Sequence, residues 1–350
     1  MKVAAPKKTN PDREWRTWKF PNHALTLTGY SRAADRTFFH VPEMKIGLDA
    51  GLLRGRQPEW VFLTHSHIDH AKDIPWVCKR EGGMTLFCPE EVVPLAEAYL
   101  QAEEALNRCS ERQPAGWRSE HRIVGVKPGD VLRFGKGDQY EARVVACDHA
   151  VPCVGYCFSE RRTCLKEEYR GLPGKELARL RREGNELSEE YRKPLFVYMG
   201  DTSVAPYLRP ENAFLFDYPV IITECTFLYG EASERLEERA ERDGHIHWRS
   251  LKPIVREHPS VTFVLIHFSL RYRVVDVLRF FATEQEEEEQ EDRKEDVDRE
   301  DKGKQVVKES EENEERTETK AETSMEKQKR RQLDNIVVFV NHHSEGRTND

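Results

Sequence analysis

Thr64-His-Ser-His-Ile-Asp-His70 is the stretch of sequence that decides the fold and the chemistry of this chain. It follows directly on Trp60-Val-Phe-Leu63, a nearly continuous apolar run that is typical of a buried strand. Alternate spacing lets the first two histidines point to one side, whereas the aspartate and the last histidine face a second position nearby. Neutral imidazole and carboxylate are the ligands that suit zinc in a hydrolytic site with an open position.

One loop does not supply enough ligands for two metal positions, so further donors are expected from other strand ends. His149 follows one predicted strand, Asp201 follows Leu195–Met199, and His267 ends Val261–Ile266. Each of them alone is as easily a satisfied polar residue at a strand end, and the motif itself has the alternative of chance histidines in a polar loop. Together, these positions supply the number of donors that two metal sites need.

Short apolar runs alternate with helical stretches along the body of the chain. A helix is predicted at Glu90–Asn107, with Pro89 at its start. Functional side chains at strand ends are common in layered α/β folds, so the pattern predicts two β-sheets flanked by helices. The predicted strands are Ala24–Thr28, Met44–Asp49, Trp60–Thr64, Tyr140–Ala146, Leu195–Met199, Val220–Thr223, Val261–His267 and Ile336–Val340.

Composition divides the chain into one main domain and several segments of different character. A basic extension at 1–22 precedes the domain, which is predicted at 23–283 and contains a charged excursion, predicted to be helical, at 158–194. Residues 284–332 are acidic and of low complexity. Such a stretch buries too little apolar surface to offset chain entropy, so it is predicted to be disordered or a lone solvated helix. The final strand and the tail follow at 333–350.

The net charge of −8 belongs to the acidic segment and not to the body of the chain. Residues 284–331 hold 20 Asp+Glu and 12 Lys+Arg, a net of −8 that equals the value for all 350 residues. The acidity therefore does not exclude a nucleic-acid substrate. Eight cysteines without a CxxC pair, and no apolar run of about 18 residues, favour an intracellular protein without a membrane span. Cytoplasm or nucleus is expected, with an organelle as the alternative.

Six motifs occur in a characteristic order. After HxHxDH come His149-Ala-Val-Pro-Cys-Val-Gly-Tyr156, Gly200-Asp-Thr202, Thr223-Glu-Cys-Thr-Phe227, Gly244-His245 and His267-Phe-Ser-Leu-Arg-Tyr272. This order resembles ribonuclease Z, the tRNA 3′-processing endonuclease family of the metallo-β-lactamase superfamily, in a divergent short form. HxHxDH marks only the superfamily, whereas the Thr-Glu-x-Thr-Phe and His-x-Ser-x-Arg-Tyr segments are more specific. The resemblance runs from about Leu25 to Phe281 and resumes at Ile336.

The resemblance implies an αββα sandwich of two mixed β-sheets flanked by helices, with two zinc ions and with Mn²⁺ or another divalent metal as the alternative. It assigns to one zinc His65, His67 and His149, and to the other Asp69, His70 and His267. Asp201 and a water would bridge them. Two cations about 4 Å apart lower the pKa of a bridging water and clamp a phosphoryl oxygen.

The resemblance also implies roles for residues that bind no metal. Glu224 and His245 would form a pair that delivers a proton to the leaving 3′ oxygen, and Asp69 would help to orient the attacking hydroxide. His247 is a rival for the proton donor. Substrate contacts are assigned to Ser269 and Arg271.

The expected function is zinc-dependent removal of 3′ trailers from tRNA precursors by metal-activated hydroxide, leaving a 3′-hydroxyl and a 5′-phosphate. The alternative is a related hydrolase of small phosphodiesters or other esters. It stays open because Gly29–Thr37 matches the family opening only in part, and because a glycine-rich tRNA-clamping arm is not obvious in 158–194. A non-enzymatic RNA-binding relic is disfavoured by the full ligand set. Short members of the family are homodimers, which makes a homodimer the default expectation.

Overall fold

The computed structural model describes residues 15–21, 23–110, 120–228, 233–288, 290 and 333–340. Within them, two seven-stranded sheets pack face to face, and helices cover the outer face of each sheet. The predicted αββα sandwich is confirmed. None of the helices among these residues combines the length and apolar composition that crossing a membrane requires.

The first sheet keeps its strands in chain order. Its strands are antiparallel from β1 to β4 and parallel from β4 to β7. The strands are β1 (Arg16–Lys19), β2 (Thr26–Arg32), β3 (Arg36–Val41), β4 (Ile46–Leu48), β5 (Trp60–Phe62), β6 (Thr85–Pro89) and β7 (Arg122–Val126). Its outer face packs against α1 (Ile68–Ala71), α2 (Ile74–Val77) and α3 (Val93–Arg108).

The second sheet runs in the spatial order β14-β13-β12-β11-β10-β9-β8. Its strands are β8 (Val131–Phe134), β9 (Tyr140–Ala146), β10 (Val154–Leu165), β11 (Ser188–Tyr198), β12 (Val220–Glu224), β13 (Thr262–Ile266) and β14 (Ile336–Val338). Its helices are α4 (Gly174–Arg182), α5 (Ala205–Leu208), α6 (Ser233–Asp243), α7 (Trp248–Glu257) and α8 (274–288).

Aromatic side chains fill the space between the two sheets. The ring of Phe62 from the first sheet lies edge-on to Phe158 of the second, with 4.9 Å between centroids, and Phe158 stacks on Phe196 at 4.7 Å. All three side chains are fully buried. Such rings carry a large hydrophobic contribution and prefer these edge-to-face and offset arrangements. The packing fixes the distance between the sheets and therefore between the strand ends that carry the functional residues.

The carboxyl ends of β5, β11, β12 and β13 meet at one edge of the sandwich. The last three are parallel neighbours, so the residues that follow them emerge side by side. A side chain at Gly200 would not fit there, because its Cβ would lie 2.5 Å from the Cβ of Thr64, the residue that precedes the HxHxDH histidines. Close approach of the two sheets at this edge thus requires glycine.

The predicted boundary between the basic extension 1–22 and the domain is wrong. Residues Arg16–Lys19 form β1, which pairs antiparallel with β2 at the edge of the first sheet. Phe20 is buried, and its ring lies 5.0 Å from that of Phe196. In this edge strand Arg16 and Trp18 are half-buried on one face, and Thr17 and Lys19 are exposed on the other. Residues 1–14 lie outside the described part of the chain.

The predicted helical excursion at 158–194 is mostly β-structure. β10 and β11 pair antiparallel as far as Leu165 and Ser188, well beyond the core, and the only α-helix of the excursion is α4 between them. The outer half of this hairpin is solvated on both faces. Charged side chains therefore occupy both faces, which removes the alternation of polar and apolar residues by which a strand is recognised.

The predicted start of the acidic segment at Glu284 is also wrong. α8 continues to residue 288, and Glu284 is buried, where it accepts hydrogen bonds from Trp248 Nε1 and Lys252 Nζ at 2.8 Å each. Lys252 also pairs with Glu288 at 2.8 Å. Composition could not separate these two glutamates from the run that follows. The rest of the segment, 291–332, lies outside the described residues.

Candidate metal centre

The structure brings all seven predicted metal donors together at the shared edge of the sandwich. Four of them come from the loop and short helix after β5, and three come from the ends of β9, β11 and β13. They are His65, His67, Asp69, His70, His149, Asp201 and His267. Glu224 and His245 lie beside them.

The first group of donors surrounds one point. Nδ1 of His67 lies 3.1 Å from Nε2 of His65 and 3.1 Å from Nε2 of His149, and Oδ2 of Asp201 lies 3.8 Å from Nε2 of His65. Two nitrogens bonded at about 2.1 Å to one tetrahedral ion lie roughly 3.4 Å apart. These spacings therefore fit ligands that share a single cation.

The second group adjoins the first and shares Asp201 with it. Nε2 of His70 lies 3.1 Å from Nε2 of His267 and 3.4 Å from Oδ1 of Asp201. Oδ2 of Asp69 lies 3.5 Å from Nε2 of His267 and also accepts a hydrogen bond from Ala34 N at 2.8 Å. Since Asp201 approaches donors of both groups, it occupies the place of a bridging ligand.

Hydrogen bonds on the far side of two rings decide which ring nitrogen carries the proton. Nδ1 of His149 lies 2.8 Å from the carbonyl oxygen of Gly244, and Nδ1 of His70 lies 2.8 Å from the carboxylate of Asp49. Both contacts require N–H on Nδ1, because both partners are acceptors. The lone pair of each ring is therefore on Nε2, which faces the centre.

The rings of His65 and His267 are oriented in the same way, but by hydroxyl groups. The Thr64 hydroxyl donates to Asp49 at 2.9 Å and so accepts from Nδ1 of His65 at 3.0 Å. The Thr226 hydroxyl donates to Glu224 at 2.5 Å and so accepts from Nδ1 of His267 at 3.1 Å. Lone pairs of four rings thus converge on each other at close range. That arrangement is unfavourable without a cation between them, so the cluster is a divalent-metal site.

The pKa shifts of the buried histidines also indicate that the site favours a bound cation. Burial lowers the pKa of His70, but the nearby carboxylates of Asp201 and Asp49 raise it by a larger amount. The net result is a pKa of about 10. His65 shows the opposite result, because burial and the neighbouring His70 lower its pKa well below the usual range. The carboxylates of the cluster therefore hold positive charge strongly, which is the electrostatic condition for binding a cation.

Four residues that support the ligands were not predicted from the sequence. Asp49 follows β4 and holds His70 and Thr64, and Tyr198 at the end of β11 donates to the same carboxylate at 2.5 Å. Thr64 and Thr226 are the hydroxyl relays to the imidazoles. The signal for Asp49 was present, since it is an acidic residue directly after a predicted strand, as Asp201 is.

Glu224 and His245 form a buried pair at the side of the cluster. Nδ1 of His245 lies 2.9 Å from Oε1 of Glu224, which also accepts from Thr202 N, while Oε2 accepts from Ile246 N at 3.1 Å. Burial raises the pKa of Glu224, but His245 lowers it to about 2. Burial lowers the pKa of His245, whereas Glu224 raises it to about 9. The imidazole is therefore protonated at neutral pH and can act as an acid.

His247, the rival for the proton donor, does not face the cluster. It is buried at the start of α7, where its Nδ1 accepts a hydrogen bond from Arg249 N at 3.2 Å and lies 3.7 Å from Glu237. This is the position of a helix-capping side chain. The geometry therefore favours His245.

An open cleft of about 250 Å³ lies in front of the donors. Its wall includes His245, together with Ser269 and Arg271 from the loop after β13, so the two predicted substrate contacts do reach it. Arg239 of α6 also lines the cleft. Arg239 is paired at 3.2 Å with Asp243, which also lines the cleft, so the guanidinium of Arg271 is the group that favours an anionic substrate.

The chain is similar in sequence to proteins of a known family. The family described as beta-lactamase superfamily domain matches residues 49–164. A chloroplastic tRNase Z of Arabidopsis thaliana is 29% identical over 264 residues, which cover 73% of this chain and 70% of the relative. A second tRNase Z of the same plant is 26% identical, over 72% of this chain and 88% of the relative.

The solved structures to which the chain is similar are more distant in sequence. The metallo-β-lactamase fold protein YhfI of Bacillus subtilis has a TM-score of 0.43 and 15% identity, over 72% of this chain and 86% of that one. The short form of human tRNase Z has a TM-score of 0.40 and 14% identity, over 73% of this chain and 90% of that one. The beta-lactamase superfamily domain and the similarity to two plant tRNase Z enzymes support the assignment of this chain to the ribonuclease Z family as a divergent member.

Proposed function

We propose that this chain is a metal-dependent endoribonuclease that removes 3′ trailers from tRNA precursors, leaving a 3′-hydroxyl on the tRNA and a 5′-phosphate on the trailer. The observation that carries the proposal is the hydrogen-bonded His245–Glu224 pair, with 2.9 Å between Nδ1 and Oε1, beside the seven converging donors. Hydrolysis of a phosphodiester needs both a site for cations and an acid for the departing alkoxide. The names of the two plant relatives, both tRNase Z, support this substrate.

The proposed metal complement is two zinc ions, with Mn²⁺ as the alternative. His65, His67 and His149 would hold one ion and Asp69, His70 and His267 the other, with Asp201 between them. The contact of Asp201 Oδ1 with His70 and of its Oδ2 with His65 supports the bridging role. When bound, the pair of cations would lower the pKa of a water and neutralise the phosphoryl charge.

The chain's own residues have separate proposed tasks. Glu224 fixes Nδ1 of His245, so the second nitrogen of that ring is directed to the cleft and can protonate the leaving 3′ oxygen. Asp69, oriented by Ala34 N, would help to align the attacking water. Ser269 and Arg271 would contact the phosphate backbone of the substrate. General acid catalysis of this kind contributes roughly 10²–10⁴-fold.

The oligomeric state that we propose is a homodimer. On α3, the exposed apolar side chains Leu95, Tyr99 and Leu106 recur at helical spacing, and Trp76 of the adjacent α2 is 67% exposed. Exposed apolar surface of this kind marks contact surfaces in soluble proteins. Sedimentation of the full chain tests this, and a monomer at micromolar concentration would contradict it.

A tRNA substrate would place the protein in the nucleus, the cytoplasm or an organelle. Imaging of the tagged full chain would distinguish these compartments.

Cleavage mapping tests the proposed reaction. The zinc-loaded chain would be incubated with a pre-tRNA that carries a 3′ trailer, in parallel with bis(p-nitrophenyl) phosphate. We expect a single cut at the trailer junction and the stated end groups, with Asp201→Ala inactive on both substrates. Hydrolysis of the nitrophenyl ester without any cleavage of RNA would instead identify a small-phosphodiester hydrolase.

A further inference from the structure

Arg32, at the end of β2, reaches across to the loop that follows β13. Its Nε donates to the carbonyl oxygen of Phe268 at 2.9 Å, and its Nη2 donates to those of Ser269 at 2.8 Å and Tyr272 at 2.6 Å. The residue is only 8% exposed. A guanidinium is a rigid planar fork of donors, so it fixes the three carbonyls relative to one another.

The loop that Arg32 holds begins at a strained residue. His267 has a φ of 61°, in the left-handed region that non-glycine residues rarely adopt. Such a conformation is strained and persists only where the surroundings hold it in place. The contacts of Arg32 begin at the next residue, Phe268, whose carbonyl oxygen also accepts from Ala33 N at 3.3 Å. The strained backbone directs Nε2 of His267 to the second group of metal donors.

The same loop carries the side chains that line the cleft. Ser269 and Arg271 lie between the carbonyls that Arg32 holds, and the Tyr272 hydroxyl closes the loop by accepting from Leu228 N at 3.1 Å. A change in this loop would therefore move a metal donor and the cleft wall together. Arg32 itself lines neither the metal centre nor the cleft.

We propose that Arg32 is a positioning residue of the metal centre, which holds the loop after β13 so that His267 completes the second metal site. This inference rests on the proposed two-metal function. Arg32 contacts the centre only through the backbone of 268–272, so its replacement should weaken one metal site and leave the other. Partners that orient metal ligands typically change metal affinity by about 10–100-fold.

Zinc titration of variants tests the proposal. Arg32→Met keeps the length of the side chain but removes every donor, and Arg32→Lys keeps the charge and part of the hydrogen bonding. The matched control is Arg36→Met, in the same hairpin, because among the described residues the Arg36 side chain donates to the carbonyl oxygen of Asp35 and not to the loop after β13. Competition of each purified chain with a zinc chelator gives the two dissociation constants, and hydrolysis of bis(p-nitrophenyl) phosphate gives kcat and KM.

We expect Arg32→Met to bind one zinc as the unchanged protein does and the other about 10–100-fold more weakly. Its kcat should recover when zinc is raised to saturation, Arg32→Lys should lie between the two, and Arg36→Met should not differ from the unchanged protein. Two unaltered zinc sites in Arg32→Met would overturn the proposal, and so would equal weakening of both sites.

Circular dichroism shows whether Arg32→Met folds. If it does not fold, Arg32→Lys is the variant that tests the proposal. A folded Arg32→Lys with one weakened site then supports the proposal, and a folded Arg32→Lys with two unaltered sites overturns it. Failure of the unchanged protein to bind two zinc ions would contradict the proposed function and not the role of Arg32.

Discussion

The carboxylate of Asp49 accepts a hydrogen bond from Nδ1 of His70 at 2.8 Å, while Nε2 of the same ring faces the metal donors. The other oxygen of Asp49 accepts from the Thr64 hydroxyl, which in turn accepts from His65. One buried side chain therefore orients one ligand of each metal group. Loss of its charge should affect both metal positions.

We expect Asp49→Asn to lower zinc affinity by about 10–100-fold, because the amide offers one acceptor where the carboxylate serves several donors. Chelator competition measures this. Asp73→Asn is the control, since Asp73 also orients backbone by accepting from Leu53 N but touches no metal donor. Equal zinc affinity in both variants would contradict the role of Asp49.

The unchanged protein should bind about two zinc ions per chain, because seven donors converge in two groups with a shared carboxylate. Metal quantification after gentle purification checks the number. Removal of metal by a chelator should abolish hydrolysis, and zinc should restore it. A protein that stays metal-free after zinc addition would show that the cluster is not a metal site.

Asp201→Ala and His245→Ala should fail in different ways. Asp201 approaches both metal groups, so its loss should remove metal and activity together. His245→Ala should keep its zinc and lose roughly 10²–10⁴-fold in turnover on RNA, with much less effect on a nitrophenyl ester whose leaving group needs little protonation.

His247→Ala is the control for this comparison, since His247 caps α7. It should retain turnover and lose about 0.5–2 kcal/mol of stability. Loss of zinc in His245→Ala, or equal damage on both substrates, would show that His245 is not the acid.

Gly244→Ala should impair both the metal centre and the acid. Gly244 immediately precedes His245 and has a φ of 66°. A Cβ at Gly244 would lie 2.7 Å from the Cα of His149. Gly137→Ala is a matched control, because its φ is also 66° but nothing lies within 4 Å of its Cβ. Both should lose roughly 1–2 kcal/mol from backbone strain, measured by urea unfolding. Only Gly244→Ala should also lose zinc affinity, and identical behaviour of the two would refute this.

Replacement of 291–331 by a short Gly/Ser linker should leave folding and cleavage intact, because its composition offers too little apolar surface for a core. Glu284 and Glu288 must be retained. Glu284→Ala should cost about 1–3 kcal/mol, since it leaves Trp248 Nε1 without its buried acceptor, whereas Lys252 keeps its contact with Glu288. Thermal unfolding of the linker variant and of Glu284→Ala, each against the unchanged protein, measures both effects. Loss of activity in a folded linker variant would assign the segment a role in the reaction.

Sequence alone predicted the sandwich and the seven donors because both depend on local patterns. Apolar runs that stop at His, Asp or Glu are visible one strand at a time, and parallel strands bring their ends together. The partners of the ligands were not predictable in this way. Whether Tyr198 reaches Asp49, or Arg32 reaches Phe268, depends on how two sheets pack, and the residues of such pairs are 149 and 236 positions apart.

The errors have a common physical origin in charged segments. In the hairpin of β10 and β11, charges are frequent because both faces are solvated. In α8, Glu284 is charged but buried, because Trp248 and Lys252 pair with it. Charge density alone does not distinguish a solvated strand, a buried ion pair and a stretch without a core.

β14 joins the second sheet after residues 291–332, which lie outside the described part of the chain. The returning strand pairs with β13, Phe339 packs edge-on to Phe39 at 5.2 Å, and Asn335 donates to carbonyl oxygens around Val261. Both ends of the intervening stretch are thus anchored independently in the same domain. A single break in the backbone between them would leave two polypeptides that remain associated as one particle. Such a nicked molecule would separate on a denaturing gel but migrate as a unit, with its metal centre complete, under native conditions.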